Sequence, residues 1–70
     1  MKVYIKKGIT KSQFDEMGVF SKPTKKLLDG SHDSYYGEVD VYDGRKVFVF
    51  RDKQLPEICW VYYKYVIKEI

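Results

Sequence analysis

The chain contains no alanine and only three leucines, Leu27, Leu28 and Leu55. It is poor in the best helix formers, which points to a sheet-dominated domain. Cys59 is the single cysteine, so no intrachain disulfide can form. With one histidine, His32, beside that one cysteine, the chain falls short of the roughly four ligands a structural zinc site needs. A lone cysteine in an apolar run is ordinarily a small buried hydrophobe, and unpaired cysteine fits a reducing, cytoplasmic setting. No apolar run approaches the ~20 residues of a membrane span. Met1–Lys7 also lacks the apolar segment of a signal peptide. Five glycines are scattered singly, none in a phosphate-cradling cluster. No metal, cofactor or membrane partner is expected.

What the chain has in quantity is β-branched and aromatic side chains. From Tyr35 to Ile70, 18 of 36 residues are Val, Ile, Phe, Tyr or Trp, types that suit a pleated, half-buried surface. Seventy residues make one domain, 1–70. A chain of this length buries only ~60% of the surface its unfolded form exposes, so stability is marginal and the aromatic excess points to a partner. Charge is divided unevenly. Residues 1–30 hold seven lysines against three acids, whereas residues 31–70 hold six basic residues against seven acids. Basic character is N-terminal and aromatic character C-terminal, unless the fold brings them together.

Lys2–Lys6 alternates, with Val3 and Ile5 facing the core, as in a half-buried strand. Gly8 ends it. Thr10 and Gln13 have the spacing of a capping box, and Ile9 and Phe14 that of a hydrophobic staple, so a helix is predicted over 11–17 with Gly18 just past its end. Pro23 suits the first position of a second helical turn with Leu27 and Leu28 inward, stopped at Gly30. Ser31-His32-Asp33-Ser34 reads as a loop. Glu38–Tyr42 alternates with Val39 and Val41 inward, Asp43-Gly44 matches a type I′ turn, and Val47–Phe50 returns. A returning strand apolar on both faces belongs in the centre of a sheet.

Glu57–Ile70 is the most ambiguous segment. Pro56-Glu57 could open a helix, but the residues that follow are nearly all β-branched or aromatic, so it reads as strand. Fourteen strand residues would span ~45 Å, against a radius of gyration of ~11 Å for 70 residues. A bulge or bend must divide the segment, or its end must project and pair with a second chain.

Catalytic motifs are weak. His32-Asp33-Ser34 holds the residue types of a hydrolytic triad, but adjacent residues cannot converge as the three roles require. His32 could serve as general acid–base in a small RNase-like toxin; an exposed loop histidine is the commoner arrangement. Asp40 and Asp43 lack the oxygen-rich loop of a calcium site. Tyr62, Tyr63 and Tyr65 with Lys64 and Lys68 have the composition of a base-stacking surface. In a strand, however, Tyr63 and Tyr65 face one way and Trp60 and Tyr62 the other, so one pair belongs to the core.

The expected fold is α+β: an antiparallel sheet of three to five strands with one or two short helices. The expected core is Val3, Ile5, Phe14, Leu27, Val39, Val41, Val47, Val49, Val61 and Ile67. The leading function is non-enzymatic protein binding, as an inhibitor or regulator of the phage or mobile-element type. Trp60, Tyr62, Tyr42 and Arg51 are its anchors, since Trp, Tyr and Arg dominate interface energy. The alternative is nucleic-acid binding through Lys6, Lys7, Lys22, Lys25 and Lys26 with exposed tyrosines. A small RNase centred on His32 is third, and homodimerisation a separate expectation.

Overall fold

Val3 and Ile5 are buried and Lys2 and Tyr4 half-buried in the first strand, Lys2–Ile5 (β1), as the alternation predicts. The computed structural model describes residues 1–29 and 33–69, and of Lys26 the backbone alone. Gly30 and His32 therefore lie outside the described residues. Lys11–Asp15 forms the first helix (α1). The capping box is present: Gln13 N–H donates to Thr10 Oγ1 at 3.2 Å, and Thr10 N–H donates to Gln13 Oε1 at 2.8 Å. The helix is shorter than the predicted 11–17, because the chain leaves it to pair as Gly18–Val19 (β2). Gly18 is thus not a helix cap. It lies opposite Trp60, and a Cβ there would sit 2.1 Å from the indole ring, so the close approach requires glycine. Lys25–Leu28 (α2) is capped by Thr24, which places Pro23 before the cap rather than inside the helix.

Ser34–Tyr42 (β3) and Arg45–Phe50 (β4) form the expected hairpin. Asp43 and Gly44 have φ of 50° and 74°, the left-handed pair of a type I′ turn. β4 is central, between β3 and Ile58–Tyr62 (β5). Its Val47 and Phe48 are fully buried on opposite faces. A 3₁₀ turn at Tyr63–Tyr65 divides the final segment, and Val66–Lys68 (β6) follows. Among the described residues the strand order is β2-β5-β4-β3-β1-β6, antiparallel throughout: six strands, more than the three to five expected, with two single-turn helices. The chain is mostly β.

That order dictates curvature. In a flat sheet β5 and β6 would stand four strand spacings apart, about 19 Å. The four-residue step from Tyr62 to Val66 reaches at most about 14 Å when extended, and less through a 3₁₀ turn. The sheet must curl into an open barrel, and the body measures 28 × 25 × 22 Å with a radius of gyration of 10.9 Å. Inside lie Val3, Ile5, Phe14, Leu27, Tyr35, Phe48, Phe50, Ile58, Val61 and Val66, among others. The edge-to-face pair Tyr35–Phe50, at 5.5 Å, stitches β3 to β4, and Phe48–Phe50, at 5.2 Å, extends it along β4.

Four expected core residues are not buried. Val41 is 61% exposed because the hairpin tip, where it faces Lys46, runs past the core. Ile67 is 52% exposed because the 3₁₀ turn resets the alternation and gives the inward position to Val66. Val39 and Val49 are half-buried.

Two features hold the margins. After β4 ends, the Gln54 side chain takes over its ladder: Oε1 accepts from Tyr36 N–H at 2.9 Å, and Nε2 donates to the carbonyls of Tyr36 at 2.5 Å and Arg51 at 2.6 Å. The intervening turn forces Asp52 and Lys53 to φ of 57° and 49°. On the other side of β3, Lys2 Nζ lies 3.6 Å from Glu69 Oε2, Tyr4 O–H donates to Glu69 Oε1 at 3.3 Å, and Glu69 N–H donates to Lys2 O at 2.9 Å. Glu69, then Tyr36, raises the pKa of Lys2 above its ordinary 10.5.

Lys53→Gly should raise the urea midpoint at unchanged slope, a gain of about 0.5–1 kcal/mol. Relief of a left-handed conformation that costs ~1–2 kcal/mol outweighs the added unfolded-state entropy. A lowered midpoint would show that Lys53 is not strained. The Lys2–Glu69 pair should contribute fully below the unfolded pKa of lysine and lose its effect as pH rises through the raised folded value. The difference in Tm between parent and Glu69→Gln should therefore shrink between about pH 9 and pH 12. A constant or growing difference would refute the pairing.

Candidate basic and tyrosine-lined cleft

Three of the four residues singled out as protein-binding anchors meet on the outer face of the barrel. Tyr42 and Trp60 are edge-to-face at 5.5 Å, as are Trp60 and Tyr62. β3, β4 and β5 place them there through the pairings Tyr42↔Arg45 and Val47↔Tyr62. Trp60 and Tyr62 are half-buried and partly structural. Gly18 packs on the indole, Tyr62 O–H donates to Glu16 O at 3.4 Å, and Tyr62 N–H points at Met17 Sδ at 3.2 Å. They fasten the segment after α1 to the sheet. Arg51 does not join them; it sits beyond the other end of β4, 3.4 Å from Glu38. Arg45 takes the place expected of it. Its Nη1 donates to Tyr62 Oη at 3.0 Å, and its guanidinium lies 5.2 Å from the Tyr62 ring. The type I′ turn held the clue, since it sets Arg45 directly across from Tyr42.

Around the 3₁₀ turn the strand-face argument fails. A strand would put Tyr62 and Tyr65 on opposite sides, but the turn brings their rings to 6.1 Å. Lys64 Nζ lies 5.2 Å from the Tyr65 ring and 5.8 Å from the Tyr62 ring. Lys46 Nζ lies 4.1 Å from the Tyr63 ring. These separations are within the range of cation–π attraction.

The curl of the sheet delivers the N-terminal lysines to the same place. Lys6 N–H donates to Tyr65 O at 2.8 Å, which carries Lys6 and Lys7 alongside the turn. Two adjoining clefts result. One, of 490 Å³, is lined by Arg45, Lys46, Tyr62, Tyr63 and Lys64. The other, of 380 Å³, is lined by Lys6, Lys7, Gly8, Ile9, Gln13, Lys64 and Tyr65. Lys64 belongs to both, and no carboxylate is among the described residues lining either. Five of the 13 basic residues gather on this strip; the other eight are outnumbered by the ten acids, so the molecule is electrostatically polarised.

The remaining candidates lie elsewhere. Lys22 and Lys25 are exposed before and within α2 and line neither cleft. The side chain of Lys26, like His32, is outside the described residues. Cys59 is half-buried in β5. Among the described residues no three His, Cys, Asp or Glu side chains are grouped to hold a metal. No described helix is long and apolar enough to cross a membrane.

In comparison with known proteins the chain matches no family model, no curated protein and no solved structure, so its functional reading rests on the geometry of this strip.

Proposed function

We propose that the chain is a non-enzymatic nucleic-acid-binding protein that engages its ligand through the strip shared by the two clefts. The observation that carries this reading is the convergence of Lys6, Lys7, Arg45, Lys46 and Lys64 with three tyrosines around one 3₁₀ turn. Cations along a groove neutralise phosphates and release counterions. Aromatic rings between them supply faces for bases. Of the lysines expected to contact nucleic acid, Lys22 and Lys25 line neither cleft, and the N-terminal contribution comes from Lys6 and Lys7. One copy of the chain presents the whole strip.

A second reading keeps the protein-binding expectation. Tyr42 is 41% exposed and Val41 61% exposed at the hairpin tip, beside the half-buried Trp60. An amphipathic aromatic flanked by apolar surface is the kind of anchor that dominates protein interfaces. An inhibitor or regulator of another protein would use this tip.

Fluorescence anisotropy with labelled mixed-sequence oligonucleotides over a salt series tests the first reading. Affinity should fall with a log–log slope steeper than about −2, as several phosphate contacts require. Absence of binding at ~50 mM salt, or salt-independent binding, would refute it. Capture from nuclease-treated lysate tests the second: a stoichiometric protein lost with Tyr42→Ala but kept with Lys64→Gln would move it to first place.

A further inference from the structure

The cations of the strip rest on the faces that bases would need. Lys46 Nζ stands 4.1 Å from the Tyr63 ring, and Lys64 Nζ stands over Tyr65 and Tyr62. Both lysines are exposed and flexible, whereas the three tyrosines are half-buried and held by the sheet and the 3₁₀ turn. A cation–π contact at an exposed site is worth only ~0.5–1 kcal/mol, less than stacking of a base on an aromatic ring, at ~1–3 kcal/mol. A ligand offering a base to the ring and a phosphate to the ammonium would satisfy both better than they satisfy each other. The lysine need only swing from one to the other.

The surroundings decide between a single strand and a duplex. Reading a duplex requires an element that enters a groove, such as a helix or a two-stranded ribbon. The helices α1 and α2 are five and four residues long. The best-shaped ribbon is the β3–β4 tip, but its Arg45 and Lys46 are offset by Asp40 and Asp43, which phosphates would repel. All five cations of the strip line concave clefts beside rings that only unstacked bases can reach.

Building on the nucleic-acid reading, we infer that the ligand is single-stranded and that it binds by displacing Lys46 and Lys64 from the tyrosine faces they cover in the free protein. Lys46 caps Tyr63, and Lys64, common to both clefts, is the point at which the strand passes from one to the other. The lysines act as displaceable lids. They keep the rings covered without ligand and become phosphate contacts with it.

The test compares 12-nucleotide single-stranded DNA and RNA of mixed sequence with the matching duplexes, and follows the lysine side chains by NMR. In the free protein the terminal methylenes of Lys46 should resonate upfield, shielded by the Tyr63 ring, and should move to ordinary positions on titration with either single strand. Single strands should bind at least ten-fold tighter than duplexes at equal salt. Tyr63→Leu should weaken single-strand binding roughly ten-fold with an unchanged salt slope, as loss of one stacked base requires. Lys46→Gln, at an exposed position that leaves the fold intact, should lower the slope by about 0.7. This variant keeps the inference testable if Tyr63→Leu unfolds. Duplex binding equal to or tighter than single-strand binding would overturn the inference while leaving the nucleic-acid reading standing. So would Lys46 resonances that stay shielded at saturation, or heparin binding that matches the oligonucleotides with no effect of Tyr63→Leu. Binding of neither single strand nor duplex would overturn both. A preference for RNA over DNA, or the reverse, within tight single-strand binding supports the inference and names the source of the strand.

Discussion

Four Cα-to-Cα steps, from Tyr62 to Val66, must carry the chain from one flank of the sheet to the other. β5 is committed to β4 and β6 to β1, and the distance between those flanks in a flat sheet exceeds what the chain can span. Curvature is therefore imposed by covalent reach rather than by side-chain preference. Once the sheet is curled, its concave side becomes an apolar interior that this short chain can fill, with Phe14 and Leu27 of the two helical turns among the residues buried in it. Tyr63–Tyr65 adopts a 3₁₀ turn because a strand there would run straight past the partner waiting in β1.

The same constraint creates the cleft. A turn between two strands exposes side chains on several sides at once, so three tyrosines that a strand would separate come near one another. Curling also brings the end of β1 to the turn, and with it lysines distant in sequence from the aromatic segment. The tyrosines have two attachments. Their rings pack against the barrel as partly buried hydrophobes, and their outer faces hold cations. A partly buried aromatic with a wet, polar margin can be anchored and still available.

Periodicity made the scaffold legible. Val3 and Ile5, the capping box at Thr10 and Gln13, and the Asp43-Gly44 turn were all readable because each is a local rule with a local cause. The division of the last segment was also readable, from length against body size. What could not be read was where local rules stop applying. Val41 has the right parity for burial but lies beyond the end of the core, a fact set by how far the hairpin projects. Ile67 and Val66 exchange roles because three residues of 3₁₀ turn shift the phase of everything after them. Gly18 resembles a helix terminator but serves the Trp60 ring, a contact 42 positions away in the chain. The site suffered most, since its membership depends on the curl: Arg45 replaced Arg51, and Lys6 and Lys7 joined tyrosines that strand alternation had assigned to opposite sides.

The Lys2–Glu69 margin has a kinetic counterpart. The β3–β4 hairpin forms from neighbours joined by two residues, the quickest kind of pairing a sheet can make. β1, by contrast, has Val66–Lys68 as its outer neighbour, and Tyr4 meets Glu69 across 65 positions of chain. Loop closure of that length must precede any reward from the contact. The barrel is consequently sealed last. During synthesis Val3 and Ile5 precede their partners Val66–Lys68, and β1 keeps one ladder unmade until those residues have followed.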